Sequence, residues 1–154
     1  MAINIVLVEP EIPQNTGNIA RTCAAIRARL HLVKPLGFSL ESKYLKRAGL
    51  DYWHLLEIVS HNSLKDFIEL YPNEKFYFAT TKGGKNYTNM NFQDGSFILF
   101  GKETGGLPKE LLEKNLDTSI RIPMADEARS LNLSNSVAII AYEAMRQLNF
   151  KYLK

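Results

Sequence analysis

Short apolar runs rich in β-branched residues alternate with segments of helical period along the whole chain, and no other feature restricts the fold as much. Ile3–Val8 is such a run, cut off by Glu9-Pro10, and reads as a buried strand. A helix is expected from about Gly17 to Ala28, with Ile19, Ala20, Cys23, Ala24 and Ile26 facing inward. Leu30–Lys34 predicts a second strand closed by Pro35 and Gly37. Leu56–Val59, Lys75–Thr80, Ser96–Phe100 and Ser119–Ile122 predict four more. Helices are expected over Ser63–Leu70, with Ser60–Ser63 as capping region, and over Pro108–Lys114, with proline in the first turn. Thr81–Gly95, rich in Gly and Asn, predicts a loop. This alternation implies an α/β domain, a mostly parallel sheet with helices on both faces. No linker, internal repeat or low-complexity tract interrupts it, so residues 1–154 are expected to form one domain.

The last stretch, Ile122–Leu148, has two halves. The first is irregular and polar, opened by Pro123, with three charges in Ala125–Arg129. The second is a helix with an apolar stripe at Leu133, Val137, Ile140, Ala144 and Leu148. Ser134, Asn135 and Ser136 are candidates to satisfy the orphan backbone donors at its start. Ser130 and Asn132 place two hydrogen-bonding side chains where a helix follows a strand. In open α/β sheets, ligands collect beyond the carboxyl ends of strands, so this loop is a candidate site.

Composition closes off several classes. With 154 residues, 45% hydrophobic, the chain is long enough for a real core. A formal charge of +3 tolerates a nucleic-acid partner without demanding one. Cys23 is the sole cysteine, which rules out a disulfide framework or thiolate metal cluster and suits a reducing cytoplasm. The opening MAINIVLVEPE lacks a basic leader and predicts no signal peptide, and no stretch is long enough to span a membrane.

Two further stretches are candidates for chemistry. Asn15-Thr16-Gly17-Asn18-Ile19-Ala20-Arg21-Thr22 resembles a strand–turn–helix anion site, but it lacks the three glycines of a dinucleotide fingerprint. On the residues alone, Arg21 is as readily a solvated helix residue as an anion contact. Phe100-Gly101-Lys102-Glu103-Thr104-Gly105-Gly106-Leu107 follows a strand but lacks the order of a Walker loop. Its glycines allow close backbone approach, and Glu103 is either a ligand-holding carboxylate or an exposed turn residue. His31, His54 and His61 are scattered without metal-ligand spacing, and His31 reads as a structural histidine. Lys43–Trp53 mixes bases and aromatics, as single-stranded nucleic-acid surfaces and ordinary amphipathic segments both do.

Three ordered motifs, NTGNIART at Asn15–Thr22, FGKETGGL at Phe100–Leu107 and IPMADEARSLNLSNSVAI at Ile122–Ile139, resemble the SPOUT class of RNA methyltransferases. Together with EPEIPQNTGN, RAGLDYW and TTKG, they are similar to its small single-domain tRNA 2′-O-methyltransferases, the YibK-like group. The resemblance covers essentially the whole chain. It implies a C-terminal deep trefoil knot, S-adenosylmethionine as cofactor and no metal. It also implies a cytoplasmic homodimer acting on the anticodon stem-loop of tRNA, at the wobble cytidine or modified uridine, position 34, of leucine tRNAs. Its alternatives are another tRNA or rRNA position, or a non-catalytic RNA-binding protein of the same fold.

The resemblance assigns Arg21 to activating the ribose hydroxyl and puts Asn15, Glu103, Ser130 and Asn132 in the same active region, with Glu103 orienting Arg21 or a substrate group. Cofactor contacts are expected at Ala79, Thr80, Gly101, Ile122, Met124, Ser130 and Leu131. RNA phosphates are expected at Lys43, Lys46, Arg47 and Arg129. The chain departs from the family at Arg27, where members commonly carry glycine near the end of the first helix. A non-glycine residue in a left-handed cap there costs roughly 1 kcal/mol.

Overall fold

The computed structural model describes residues 2–49 and 54–154. In chain order the elements are β1 (Ile3–Val8), α1 (Pro13–Ile26), β2 (Arg29–Val33), α2 (Lys43–Gly49), β3 (Ile58–His61), α3 (Leu64–Leu70), β4 (Phe76–Ala79), β5 (Lys85–Asn86), β6 (Ser96–Phe100), α4 (Lys109–Lys114), β7 (Ser119–Arg121) and α5 (Leu133–Gln147). The seven strands form one sheet in the order β3-β2-β1-β6-β4-β7-β5, and every strand pairing among the described residues is parallel. From β1 the chain winds outward through β2 and β3, and the later strands extend the other side. Strand order therefore reverses between β1 and β6.

Because side chains alternate along a strand, the central strands are apolar on both faces. Ile3, Ile5 and Leu7 of β1 join Ile98 and Phe100 of β6 under α1 and α5, with Ile19, Cys23, Val137 and Ile140 as the helical contribution. Val6, Val8, Phe97 and Leu99 point the opposite way, against Phe67, Leu64 and Ile68 of α3 and Leu111 and Leu112 of α4. On this second face His31 and His61, brought together by the β2–β3 pairing, sit 3.0 Å apart (Nδ1 to Nε2), and His31 Nε2 lies 3.1 Å from Asn4 Oδ1. His31 is thus a satisfied structural histidine, as expected. The scatter of His31 and His61 in sequence, however, conceals a pair.

Several boundaries differ from the sequence reading for identifiable reasons. α1 starts four residues before Gly17, at Pro13, because proline suits the first helical position and the amides ahead of it are held by another loop. Gly17 is therefore a buried interior residue, and no phosphate loop precedes the helix. β3 is displaced from Leu56–Val59 to Ile58–His61, where it keeps register with Leu30–Val33. The expected loop Thr81–Gly95 contains the two-residue β5, paired with β7, and a 3₁₀ turn at Tyr87–Asn89. Half of the basic–aromatic segment is the helix α2, packed on α1, while Tyr52 and Trp53 lie outside the described residues. The cap of α5 is Asn132 itself: its Oδ1 accepts the N–H groups of Ser134 (2.9 Å) and Asn135 (3.3 Å). Arg27 does take the left-handed conformation (φ 57°, ψ 36°) at the end of α1, where the N–H of Ala28 closes onto Cys23 O at 2.8 Å.

Candidate active site

Beyond the carboxyl ends of β4, β6 and β7, three loops surround a cavity of about 1090 Å³. This is the edge at which an open α/β sheet gathers ligands, next to the point where strand order reverses. The loop after β4 supplies Ala79 and Thr80, the loop after β6 supplies Gly101, and the segment after β7 supplies Ile122, Met124, Ser130 and Leu131. All seven residues expected to contact a cofactor therefore line one cavity.

The β6 loop has this shape because of Gly101. The chain doubles back so tightly, through the antiparallel Lys102–Gly106 bridge, that a Cβ at Gly101 would lie 1.9 Å from Gly106 C and 2.1 Å from Leu107 N. No side chain fits there. The floor of the cavity is apolar, with Leu107, Ile120, Ile122 and Ile140. Thr80, Ser130 and Asn132 bring polar groups to it. An apolar floor with a few placed polar groups fits a nucleoside carrying a polar tail, and the volume exceeds the roughly 300–1,000 Å³ usual for small-molecule sites.

Four of the five expected catalytic residues line this cavity: Asn15, Glu103, Ser130 and Asn132. Asn132 Nδ2 donates to Asn15 Oδ1 at 3.1 Å, which ties the first turn of α1 to the start of α5 across 117 residues of sequence. Asn15 is buried on the inner side of α1. Glu103 is engaged with its own chain. Its carboxylate accepts the N–H groups of Glu11 (3.2 Å to Oε1, 3.1 Å to Oε2) and Ile12 (2.7 Å to Oε2). Ile12 is the cap residue of α1 and has no capping side chain, so the Glu103 carboxylate supplies the negative charge that a helix N-terminus favours.

Arg21 does not line the cavity. It falls on the exposed side of α1, with Gln14, Asn18 and Ala25 at helical spacing, roughly 9 Å along the axis from Asn15. Of the residues expected to meet RNA, Arg129 stands at the cavity. Lys43, Lys46 and Arg47 are on α2, apart from it, and Lys46 pairs with Glu41 at 2.9 Å. Among the described residues no group of three metal-ligating side chains occurs.

The sequence reading missed Glu11. Its carboxylate accepts both the N–H (3.0 Å) and the hydroxyl (2.7 Å) of Thr104. These two bonds, the hydroxyl's first, hold its pKa below the usual carboxylate value, and Lys102 adds a smaller contribution of the same sign. Nothing local pairs Glu11 with a residue 93 positions away; only the adjacency of β1 and β6 does. Lys82, Lys102 and Lys109 at the cavity mouth were also missed, since isolated lysines in Gly-rich turns carry no signal of convergence.

Comparison with known proteins agrees with this fold. The profile of the SpoU rRNA Methylase family matches residues 2–142. A chain from Bacillus subtilis (strain 168) is 52% identical over 157 residues, covering 100% of this chain and 98% of that one. The tRNA (cytidine(34)-2′-O)-methyltransferase of Escherichia coli (strain K12) is 45% identical over 149 residues, covering 96% of this chain and 95% of that one. A solved structure described as giving insight into the 2-OH methylation of C/U34 on tRNA superposes with a TM-score of 0.91 at 44% identity, covering 96% of each chain. A second, the AdoMet-bound rRNA methyltransferase from Sinorhizobium meliloti, superposes with a TM-score of 0.85 at 28% identity, over 95% of this chain and 56% of that one. Fold, loops and sequence thus converge, and the chain belongs to the SpoU rRNA Methylase family.

Proposed function

We propose that this protein is an S-adenosylmethionine-dependent methyltransferase acting on the ribose 2′-hydroxyl of the wobble nucleotide, cytidine or modified uridine 34, of leucine tRNAs. The observation that carries the reading is the convergence of all seven expected cofactor residues, with Asn15 and Asn132, on one cavity, in a chain 45% identical to an enzyme named for that reaction. The backbone around Ala79, Gly101, Ile122 and Leu131 would hold the adenosine, and Ser130 would stand beside the methionine portion. When bound, S-adenosylmethionine supplies an electrophilic methyl group.

The chain's own residues must do the rest. A neutral hydroxyl is a poor nucleophile, so its proton must be polarised and its oxygen held within roughly 3–3.5 Å of the methyl carbon. Asn15 and Ser130 are placed to position the ribose. A guanidinium keeps its proton near neutrality and is no ready base, so Arg21 is not assigned to proton removal. Its role is electrostatic, stabilising the forming alkoxide and the adjacent phosphate.

Because Arg21 does not line the cavity of its own chain, this role calls for a second subunit. The homodimer implied by the family resemblance suits the outer face of α1 and α5, where Ala25 and Tyr142 meet Phe150 and Leu153 around a small hollow and Ile139 is exposed. In such a dimer Arg21 of one subunit serves the cavity of the other. The reading also takes residues 1–154 as a single domain whose C-terminal segment, from β7 to α5, closes a deep trefoil knot around the cofactor loops. Arg129 would meet RNA at the mouth, with Lys43, Lys46 and Arg47 gripping the anticodon stem, in the cytoplasm where tRNA is matured.

Mapping ribose methylation in tRNA from cells with and without the protein tests this. The methyl group at nucleotide 34 of leucine tRNAs is expected to disappear in its absence and return with the purified enzyme and S-adenosylmethionine. Methylation lost at another position instead would move the substrate.

A further inference from the structure

Two loops far apart in sequence grip each other reciprocally. Glu103, after β6, takes the backbone N–H groups of Glu11 and Ile12, and Glu11, after β1, takes the N–H and hydroxyl of Thr104. Each carboxylate thus binds the other's loop, at the point where the strand order of the sheet reverses. The β1 loop is also held from behind. Gly37 N donates to Pro10 O at 2.9 Å, and a Cβ on Gly37 would lie 2.7 Å from both Glu11 Cα and Glu11 O. The left-handed backbone at Glu9 (φ 55°) completes a segment with one permitted place. From that segment α1 departs, carrying Asn15 in its first turn and Arg21 further along. The segment's partner, the loop over residues 101–107, is a wall of the cavity.

We propose that Glu11 is a positioning residue: through Thr104 it locks the cavity loop to the start of α1, so that Asn15 keeps a fixed relation to the bound cofactor. This rests on the methyltransferase reading. The bonds Glu11 makes are charge-assisted and go to a loop that the Lys102–Gly106 bridge closes on itself but that no helix or strand joins to α1. Without them the Glu103 half of the clasp remains, so α1 still forms, but one carboxylate instead of two sets the relation between the loops. Small displacements at a reacting centre reduce turnover far more than they reduce stability.

The experiment compares Glu11→Ala, Glu11→Gln, Thr104→Val and the double variant Glu11→Ala/Thr104→Val with wild type. Each is assayed for kcat and KM in tRNA methylation, for thermal unfolding, and for amide exchange at Thr104, Glu11 and Ile12. Glu11→Ala is expected to lower kcat about tenfold to hundredfold, with KM for tRNA little changed and the unfolding midpoint nearly kept. Glu11→Gln, which retains an acceptor oxygen, should recover most of that loss. The double variant should be no worse than Glu11→Ala, because both changes remove one interaction. Exchange at Thr104 should quicken in Glu11→Ala. A folded Glu11→Ala protein with wild-type kcat, or a kcat loss that Gln does not relieve, overturns the proposal. Absence of activity in wild type would instead refute the methyltransferase reading, and the exchange measurement then decides the clasp: unchanged exchange at Thr104 in Glu11→Ala overturns it.

Discussion

Two polar networks lie at opposite ends of the sheet, and they differ in what they leave over. Behind β1 and β2, Asn4 Nδ2 donates to Gly95 O at 3.2 Å, so its Oδ1 is the acceptor for His31 Nε2–H. Neutral His31 must then accept at Nδ1 from His61 Nε2–H. Every group of His31 has a partner, and Phe67, Tyr71 and Phe97 enclose the ring at centroid distances of 5.8, 5.7 and 5.4 Å. At the other end of the sheet, Asn132 spends both ends of its amide on Asn15 and the α5 cap. Asn15 gives its oxygen, and its Nδ2, beside the cavity, meets no acceptor among the described residues. The first is buried, whereas the second joins the buried Asn15 to the exposed Asn132. The saturated one is architecture; the one with donors to spare faces an open cavity and is where a substrate gains something by arriving.

This contrast is broken most sharply by exchanging the expected phenotypes. Arg21→Ala should reduce methyl transfer to tRNA by at least about a hundredfold, as befits loss of a charge aimed at a developing oxyanion, while the fold and product binding survive. Radiolabelled methyl transfer alongside calorimetry with S-adenosylhomocysteine measures both. Near-normal turnover would return Arg21 to the ranks of solvated helix residues.

The histidine network makes the opposite prediction, in stability. Burial first, then the neighbouring His61 and Arg29, push His31 down from 6.5 to about 3, and burial pushes His61 in the same direction. The native state therefore keeps His31 neutral where the unfolded chain takes up a proton. Stability is complete above about pH 6.5 and falls as pH drops toward 3, by a few kcal/mol in all at ~1.4 kcal/mol per unit. The lowered carboxylates Glu11 and Glu143 add their own loss only below the ordinary carboxylate value of 4.5. Urea unfolding at pH 7.5, 6 and 5 thus isolates the histidines, and equal midpoints across that range would contradict the neutral pair.

A smaller effect sharpens the same point. Asn4→Leu removes the acceptor for His31 Nε2–H and should destabilise by about 1–3 kcal/mol, with kcat of the folded enzyme unchanged. A fall in kcat would mean that the closed network reaches the site after all. The smallest effect expected is at Arg27, whose left-handed backbone favours glycine: Arg27→Gly should stabilise by about 0.5–1 kcal/mol in the same unfolding assay.

The elements of this fold were legible wherever local physics sets them. The apolar runs of β1 and β6, the inward stripe Ile19–Cys23–Ile26 of α1 and the stripe Val137–Ile140–Ala144 of α5 fall where periodicity puts them, because burial on a sheet or helix face has a fixed spacing. The geometry of the turn at Arg27 was left open by the sequence, and the structure makes it left-handed. The loops of the site were legible as polar, Gly-rich segments after strands. That they enclose one cavity followed from likeness to a family and, physically, from the parallel order that brings the ends of β4, β6 and β7 side by side.

The tertiary structure alone decided the rest, since each remaining feature is a contact between residues that no local rule connects. Glu103 reads in sequence as a partner for an arginine, yet it caps a helix 91 residues away. Glu11 has a meaning only beside Thr104. His31 and His61 are two unrelated histidines until β2 and β3 pair. Periodicity encodes which face of an element is buried. It carries no information about which polar group from a distant loop will meet the donors that remain.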